Sequence, residues 1–327
     1  MADIELSCGL PPGPDFADLA VLAEELGYVR VWIFDSAPLW EDPFVHLALA
    51  AARTRRIGLA TAVLIPSERS VMAMAAGIAA IARLSGGRFR ACFGTGYTAR
   101  LAMGQSPLSL DSLFRYASTL RQLLRGEAAI VDGAAARMLH ATGLTEARPI
   151  PAPLWLSVFG PRGTERATDV ADGIIGPPHP TLPAATMTSG TVLDPGEDHR
   201  SRRVREAIGP WRVIGPHAAY ASGGPPLVDA MPGGQAWRAE LEALAPEVDR
   251  HLLTFEGHVT HLTDRDRHLL EYIDTDTMVG DSVSISEQLT RLASVGFQEV
   301  IYTPTGPHVA REIRAFAAAH QQLRAAH

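Results

Sequence analysis

The strongest constraint on this chain is the alternation of short apolar runs with longer helical stretches between residues 4 and 176. IELSCGL (4–10) reads as a strand ended by Pro and Gly. Asp15 then caps a helix in which Phe16, Leu19, Ala20, Ala23 and Leu26 recur at helical spacing, closed by Gly27. VRVWIF (29–34), β-branched and aromatic, reads as the next strand. The pair repeats: helix Pro43–Arg53 with Pro in its first turn, then strand IGLATAVLI (57–65). Helix Val71–Leu84, stopped by Ser85-Gly86-Gly87, leads to strand RFRACF (88–93) and helix Leu110–Leu124. Strand LWLSVF (154–159), helix Arg162–Asp172 and strand GIIG (173–176) follow. Strands alternating with helices of this length predict βα units and a parallel sheet.

Beyond Gly176 the pattern blurs. Residues 177–234 are rich in Pro and Gly, with one helix-like segment (His199–Ile208) and one strand-like segment (Trp211–Ala219). Helical patterns return at Gln235–Arg250, Thr263–Ile273 and Ser286–Val295, then a strand, GFQEVIYTP (296–304), and a last helix, Val309–Arg324. About eight strands predict an α/β fold, a (β/α)8 TIM barrel with an insertion in its C-terminal half. Residues 1–327 are expected to form a single barrel domain, in which 177–262 is an insertion that shapes the pocket.

Composition narrows the chemistry. A net charge of −7 argues against nucleic acid as a partner, because that needs a basic stripe. Cys8 and Cys92 sit in apolar runs without metal or redox spacing and are expected to be buried thiols. MADIELSCGL has neither the basic nor the apolar region of a signal peptide. The longest apolar run, Val71–Ala82, is shorter than the ~20 residues needed to cross a bilayer. A cytoplasmic protein with no membrane partner is expected. All 29 basic residues are Arg. A chain without lysine forms no Schiff base and carries no G-x-x-x-x-G-K-[ST] phosphate loop.

Gly94-Thr-Gly96-Tyr-Thr-Ala99 reads G-x-G-x-x-A. In a dinucleotide-binding fold that loop follows the first strand, and an acidic residue ends the second strand about 20 residues on. Here the loop follows the fourth strand, and Asp111 starts an amphipathic helix. A glycine turn at the carboxyl rim of a barrel strand fits better, because missing side chains let a flat cofactor lie against backbone.

Read together, AEELGYVRVWIFDS (23–36), DPFVHLALAAARTRRIGLATAV (42–63), ARLSGGRFRACFGTG (82–96) and FGPRGTERATDVADGIIG (159–176) resemble the luciferase-like flavin and deazaflavin oxidoreductases. Within that superfamily the chain looks most like the methylenetetrahydromethanopterin reductase branch, which uses coenzyme F420. The resemblance implies a barrel, a homodimer, and an isoalloxazine-type ring at the carboxyl mouth. Asp35 and Ser36 end the second strand there. The sugar-phosphate dehydrogenases of this superfamily carry His at the Ser36 position and Glu at the Tyr97 position, so the chain departs from them twice. The resemblance implies that Gly94, Thr95 and Gly96 border the ring. Relatives often hold a non-proline cis peptide after the third strand, here Ala62-Val63. Gly160-Pro161-Arg162-Gly163-Thr164 opens a helix whose free N–H groups suit the cofactor phosphate.

Trp40 and His179 are candidates for the substrate pocket. Ser36, Tyr97 and His217 are the nominated proton donors, His217 from the strand-like segment. Tyr220 shares that segment. His258 and His261 form H-x-x-H beside Glu256 and Asp264, but no H-x-H follows the first strand, and no metal site is expected. The expected function is hydride transfer between C5 of F420 and a small organic substrate, with the cofactor carrying the hard step. Two alternatives stay open: an FMN-dependent monooxygenase served by a separate reductase, and a cofactor-binding protein without turnover.

Overall fold

Each N-terminal apolar run is followed by an amphipathic helix long enough to return the chain to the start of the next strand, which is what parallel pairing requires. The computed structural model describes residues 4–141, 143, 147–271 and 277–325. Eight strands close a barrel: β1 (Glu5–Leu10), β2 (Arg30–Ile33), β3 (Gly58–Thr61), β4 (Phe89–Phe93), β7 (Leu154–Ser157), β8 (Gly173–Ile175), β9 (Ala184–Thr188) and β12 (Glu299–Tyr302). Between them lie hairpin strands β5 (Ala129–Val131) and β6 (Ala134–Ala136), and a small parallel pair, β10 (Gly190–Val192) and β11 (Met278–Gly280). The barrel order is β1-β12-β9-β8-β7-β4-β3-β2. Parallel register pairs Val31 with Leu59, Cys92 with Trp155, and Trp155 with Gly173.

Two compact units can be distinguished. The first comprises Met1–Gly96, Leu108–Met187 and Leu292–Ile301. Its interior holds a cluster of side chains, one from each barrel strand except β1: Trp32, Ala60, Cys92, Trp155, Ile175, Ala185 and Ile301. Burial pushes both cysteine thiols far up, so they stay protonated. Below this cluster the Glu299 carboxylate is buried and accepts from Ser7 Oγ, from Trp32 Nε1 at 2.7 Å and from Arg90 at 2.9 Å, with Arg30 Nε at 3.5 Å. The Arg90 guanidinium lies over the Trp32 and Trp155 rings. Outside pack α1 (Phe16–Glu25), α2 (Pro43–Arg53), α3 (Val71–Leu84), α5 (Leu110–Arg125) and α6 (Pro161–Ala167).

The second unit comprises Tyr97–Pro107, Thr188–Arg291 and Tyr302–His327. It holds α4 (Tyr97–Ala102), α7 (Arg202–Arg212), α8 (Ile214–Gly223), α9 (Pro225–Asp229), α10 (Gly234–Leu244), α11 (Arg250–Thr254), α12 (Asp264–Leu269) and α14 (Val309–Ala325). Most of α13 (Ser282–Ser294) belongs to it as well. Arg203, Arg311, Glu312 and Thr191 form a buried-to-rim ion network that ties α7, α14 and β10.

The structure revises several expectations. Trp211–Ala219 is helical: the N–H groups of Val213 and His217 bond to the carbonyls four residues back, Gly209 and Val213. The barrel strand missing from the sequence reading is β9, which lies inside 177–262, so the non-barrel part of that span begins after Thr188. The Arg162–Asp172 helix is shorter, ending at Ala167, and Gln235–Arg250 breaks after Leu244. The Thr263–Ile273 helix spans Asp264–Leu269 behind a Thr263–Asp266 capping box, and Ile273 lies outside the described residues. Among the described residues no helix is long and apolar enough to cross a membrane.

Candidate active site

Chemistry on a parallel barrel sits at the carboxyl ends of its strands, where the connecting loops meet. In the first unit that rim begins with Phe34-Asp35-Ser36 after β2, with Asp35 and Ser36 both buried. Next to it β3 ends in a cis peptide between Ala62 and Val63. The Ala62 N–H still bonds to Ile33 O, at 2.7 Å, and the Leu64 N–H bonds to Cys92 O, at 2.8 Å. Val63 stands between these two ladder contacts, packed against the interior cluster.

The glycine turn after β4 fits against Val63. A Cβ on Gly94 would lie 2.6 Å from Val63 Cγ2 and 3.6 Å from Ser157 Cβ, so only a hydrogen fits comfortably. Gly96 has φ +76°, a left-handed conformation that favours glycine. Thr95 between them accepts from the Leu108 N–H at 2.9 Å, which fastens the turn. Val63, Gly94, Thr95 and Gly96 therefore make a rim segment with little side chain on it.

Asp35 is not free to reach a ligand with both oxygens. Arg69, from the segment between β3 and α3, donates to Asp35 Oδ2 at 2.7 Å and to Asp42 Oδ2 at 2.8 Å. Burial raises the Asp35 pKa, opposed by the Arg69 guanidinium and the Ile65 N–H. Tyr116 donates its hydroxyl to the Arg69 carbonyl at 3.2 Å, and burial pushes that phenol upward. Arg69, Asp42 and Tyr116 were not among the sequence candidates. The one available signal was a lone Arg in the polar stretch SERS right after an apolar strand.

The remaining candidates separate. Trp40 lies on the same β2–α2 loop as Ser36, half-buried and packed on Phe34 at 5.6 Å. Gly160 caps α6 and Pro161 opens it, but Gly163 turns its N–H onto Gly160 O at 3.0 Å. Fewer N–H groups face outward there than a regular helix start would offer. Arg162 is exposed and makes no ion pair among the described residues. Asp111 pairs with Arg166 of α6 at 2.6 Å, which fixes α6 to α5 and gives that carboxylate a structural task. His179 uses Nδ1 to accept the N–H groups of Thr181 and Leu182, which leaves Nε2 as the nitrogen able to donate.

Tyr97 and His217 belong to the second unit. Tyr97 starts α4, 41% exposed, and its hydroxyl donates to Ala218 O at 3.3 Å. His217 is buried on α8, stacked on Trp237 at 5.5 Å, with Nε2 3.0 Å from Asp266. Burial alone would raise Asp266, but bonds from His217, Thr263 and Trp237 outweigh it and hold its pKa at about 2. Burial, with His217 nearby, pushes His258 down to about 3, so it is neutral. Tyr220 bonds to Glu242 at 3.1 Å and lines a cleft of about 470 Å³ with Gln105, Arg250 and His251. No group of three or more His, Cys, Asp or Glu among the described residues is arranged to hold a metal.

The fold is a (β/α)8 barrel, and the rim segment described above lies at the carboxyl ends of β2, β3 and β4. The chain belongs to the luciferase-like monooxygenase family, whose model matches residues 5–188. It is 32% identical over 180 residues to an F420-dependent glucose-6-phosphate dehydrogenase of Beutenbergia cavernae, covering 49% of this chain and 52% of that protein. It is 31% identical over 163 residues to a 5,10-methylenetetrahydromethanopterin reductase of Methanolobus tindarius, covering 49% and 48%. The chain thus spans about half the length of these relatives. Its fold also matches the oxygenating constituent of 3,6-diketocamphane monooxygenase of Pseudomonas putida, solved with FMN. The TM-score is 0.60 at 14% identity, covering 99% of this chain and 98% of that one.

Proposed function

We propose that the chain is a coenzyme F420-dependent oxidoreductase that exchanges a hydride with a small organic substrate. The observation that carries this reading is the rim segment Val63–Gly94–Gly96, where a side chain at 94 would strike Val63 and only glycine fits. Such a surface suits a flat ring, it lies within the residues that the family model matches, and F420-dependent proteins are among the chain's relatives. When bound, the deazaflavin supplies the hydride acceptor and donor at its C5. The protein's own residues then place and shield. Gly94, Thr95, Gly96 and the Ala62–Val63 step are the residues that would hold the ring, and Ala62 and Val63 pack on the apolar interior cluster. Ser36 and Tyr97 are the groups we assign to proton transfer, each carrying a hydroxyl that can donate or accept. His217 is the weakest of the three nominees, since its Nε2 is committed to Asp266. Ser36 and Tyr97 stand where the sugar-phosphate dehydrogenases carry His and Glu, so the proposal does not extend to the acid–base chemistry of those enzymes. Trp40, placed over the ring or the substrate, and His179 are assigned to the substrate pocket.

A second reading has a specific observation behind it: the barrel also matches a monooxygenase solved with FMN. The test is a titration with F420 and, separately, FMN, following the emission of the five tryptophans. Preference for F420 supports the proposal. Preference for FMN moves the chain to the monooxygenase reading, and binding of neither refutes both. We also propose a homodimer; a 35.0 kDa species in sedimentation at micromolar concentration would refute it.

A further inference from the structure

Both ends of the loop that joins β2 to α2 are held by one guanidinium. Arg69 reaches Asp35 at the start of the loop, at 2.7 and 3.4 Å, and Asp42 at its end, at 2.8 Å. The Arg69 side chain is 16% exposed and lies over the Phe44 ring at 5.3 Å. Asp42 is also the N-cap of α2, where it accepts the Phe44 N–H at 2.8 Å. Inside the loop, Ser36 O accepts the N–H groups of Leu39 and Trp40 at 2.8 and 2.9 Å. The eight residues 35–42 are thus a closed turn pinned at its base, and Ser36 and Trp40 ride on it.

We infer that Arg69 is a positioning residue: it clamps the 35–42 loop at both ends and thereby sets where Ser36 and Trp40 stand toward the bound ring. This rests on the deazaflavin-or-flavin reading of the barrel mouth. Arginine suits the task because its planar fork presents several fixed donors and can serve two carboxylates at once. A lysine there would be a single point charge on a flexible stem and would have to choose between the two aspartates. Arg69, Asp42, Tyr116 and the Ile65 N–H face Asp35, and among these described groups Arg69 supplies the positive charge.

The experiment is equilibrium dialysis of wild type, Arg69→Lys, Asp42→Asn, Trp40→Phe and the Arg69→Lys/Trp40→Phe double variant against F420 and FMN. Urea unfolding of each variant gives its folded fraction. Arg69→Lys is expected to weaken whichever cofactor wild type binds by about tenfold or more, equivalent to about 1.4 kcal/mol. Asp42→Asn, which releases one end of an exposed contact, weakens it less and stays folded. The double variant is expected to lose less than the product of the single losses, because residues that act through one element are not additive. A purely structural Arg69 would lower the urea midpoint and leave the affinity of the folded protein unchanged. Wild-type affinity in both charge variants, or losses that multiply in the double variant, overturns the clamp. A wild type that binds neither cofactor overturns the underlying reading, and the wild-type titration alone reveals it.

Discussion

Replacing Gly94 with Ala tests the closest contact at the barrel mouth. The new methyl carbon would lie 2.6 Å from Val63 Cγ2, whereas carbon atoms rest at about 3.5–4.0 Å. The pair must therefore part by about 1 Å. Ser157 Cβ, at 3.6 Å, is at ordinary contact and takes none of the strain. Val63 cannot simply turn away, because its χ1 is stiff and it packs on the interior cluster of Trp32 and Ala60. Overpacking of this kind costs about 1–3 kcal/mol. Urea unfolding at 25 °C should show that loss in Gly94→Ala. Val63→Ala removes the struck methyl and on its own costs about 1–2 kcal/mol of burial. The Gly94→Ala/Val63→Ala variant should then be more stable than the sum of the two losses by about 1 kcal/mol or more. Its methyl still stands on the rim, so cofactor affinity should stay reduced while stability recovers. Strict additivity of the two stability losses would refute the contact argument.

Two further outcomes follow from buried charge. Glu299→Gln removes the carboxylate that Arg30 and Arg90 share beneath the interior cluster, which should cost about 3–5 kcal/mol in urea unfolding; a loss under about 1 kcal/mol would sink the account. His258 stays neutral in the folded chain down to a pKa of about 3, against 6.5 for the free side chain. Only the unfolded chain gains that proton below pH 6.5, so the stability is fully present above 6.5 and is lost as pH falls toward 3. The slope is about 1.4 kcal/mol per pH unit, and His258→Gln should remove it between pH 6 and 4. Parallel stability curves for the two proteins would contradict the burial argument.

Much of the barrel was legible because its N-terminal strands carry strong signals: VRVWIF and IGLATAVLI are β-branched and apolar in a way few helices are. The seventh barrel strand, β9, was not, for a physical reason. AATMT is small and weakly apolar, and Pro177, Pro178, Pro180 and Pro183 before it read as loop. Neighbouring strands supply its burial, which no local window contains. The opposite error at Trp211–Ala219 came from Trp, Val and Ile read as strand formers; the chain is helical there even with Pro210 inside α7, while Pro216 falls in the first turn of α8. Of the site, the glycine turn, Asp35–Ser36 and the Ala62–Val63 step were visible as positions at strand ends. Arg69 was not, since its partners lie 34 and 27 residues away and only the fold brings them together.

The barrel order has a consequence for synthesis. β1 pairs with β12, whose Glu299 arrives near the end of the chain, and Glu5 N–H bonds to Gln298 O across that seam. At 5–20 residues per second a ribosome needs about 15–60 s to travel from one strand to the other. For that time the edge of β1 stands open, a template for pairing with other nascent chains. Arg30 and Arg90 wait as well, because the carboxylate that answers both is carried by the last strand. Barrel closure and charge neutralisation are thus one event, and the wrong strand in that seam would leave two arginines without their acid.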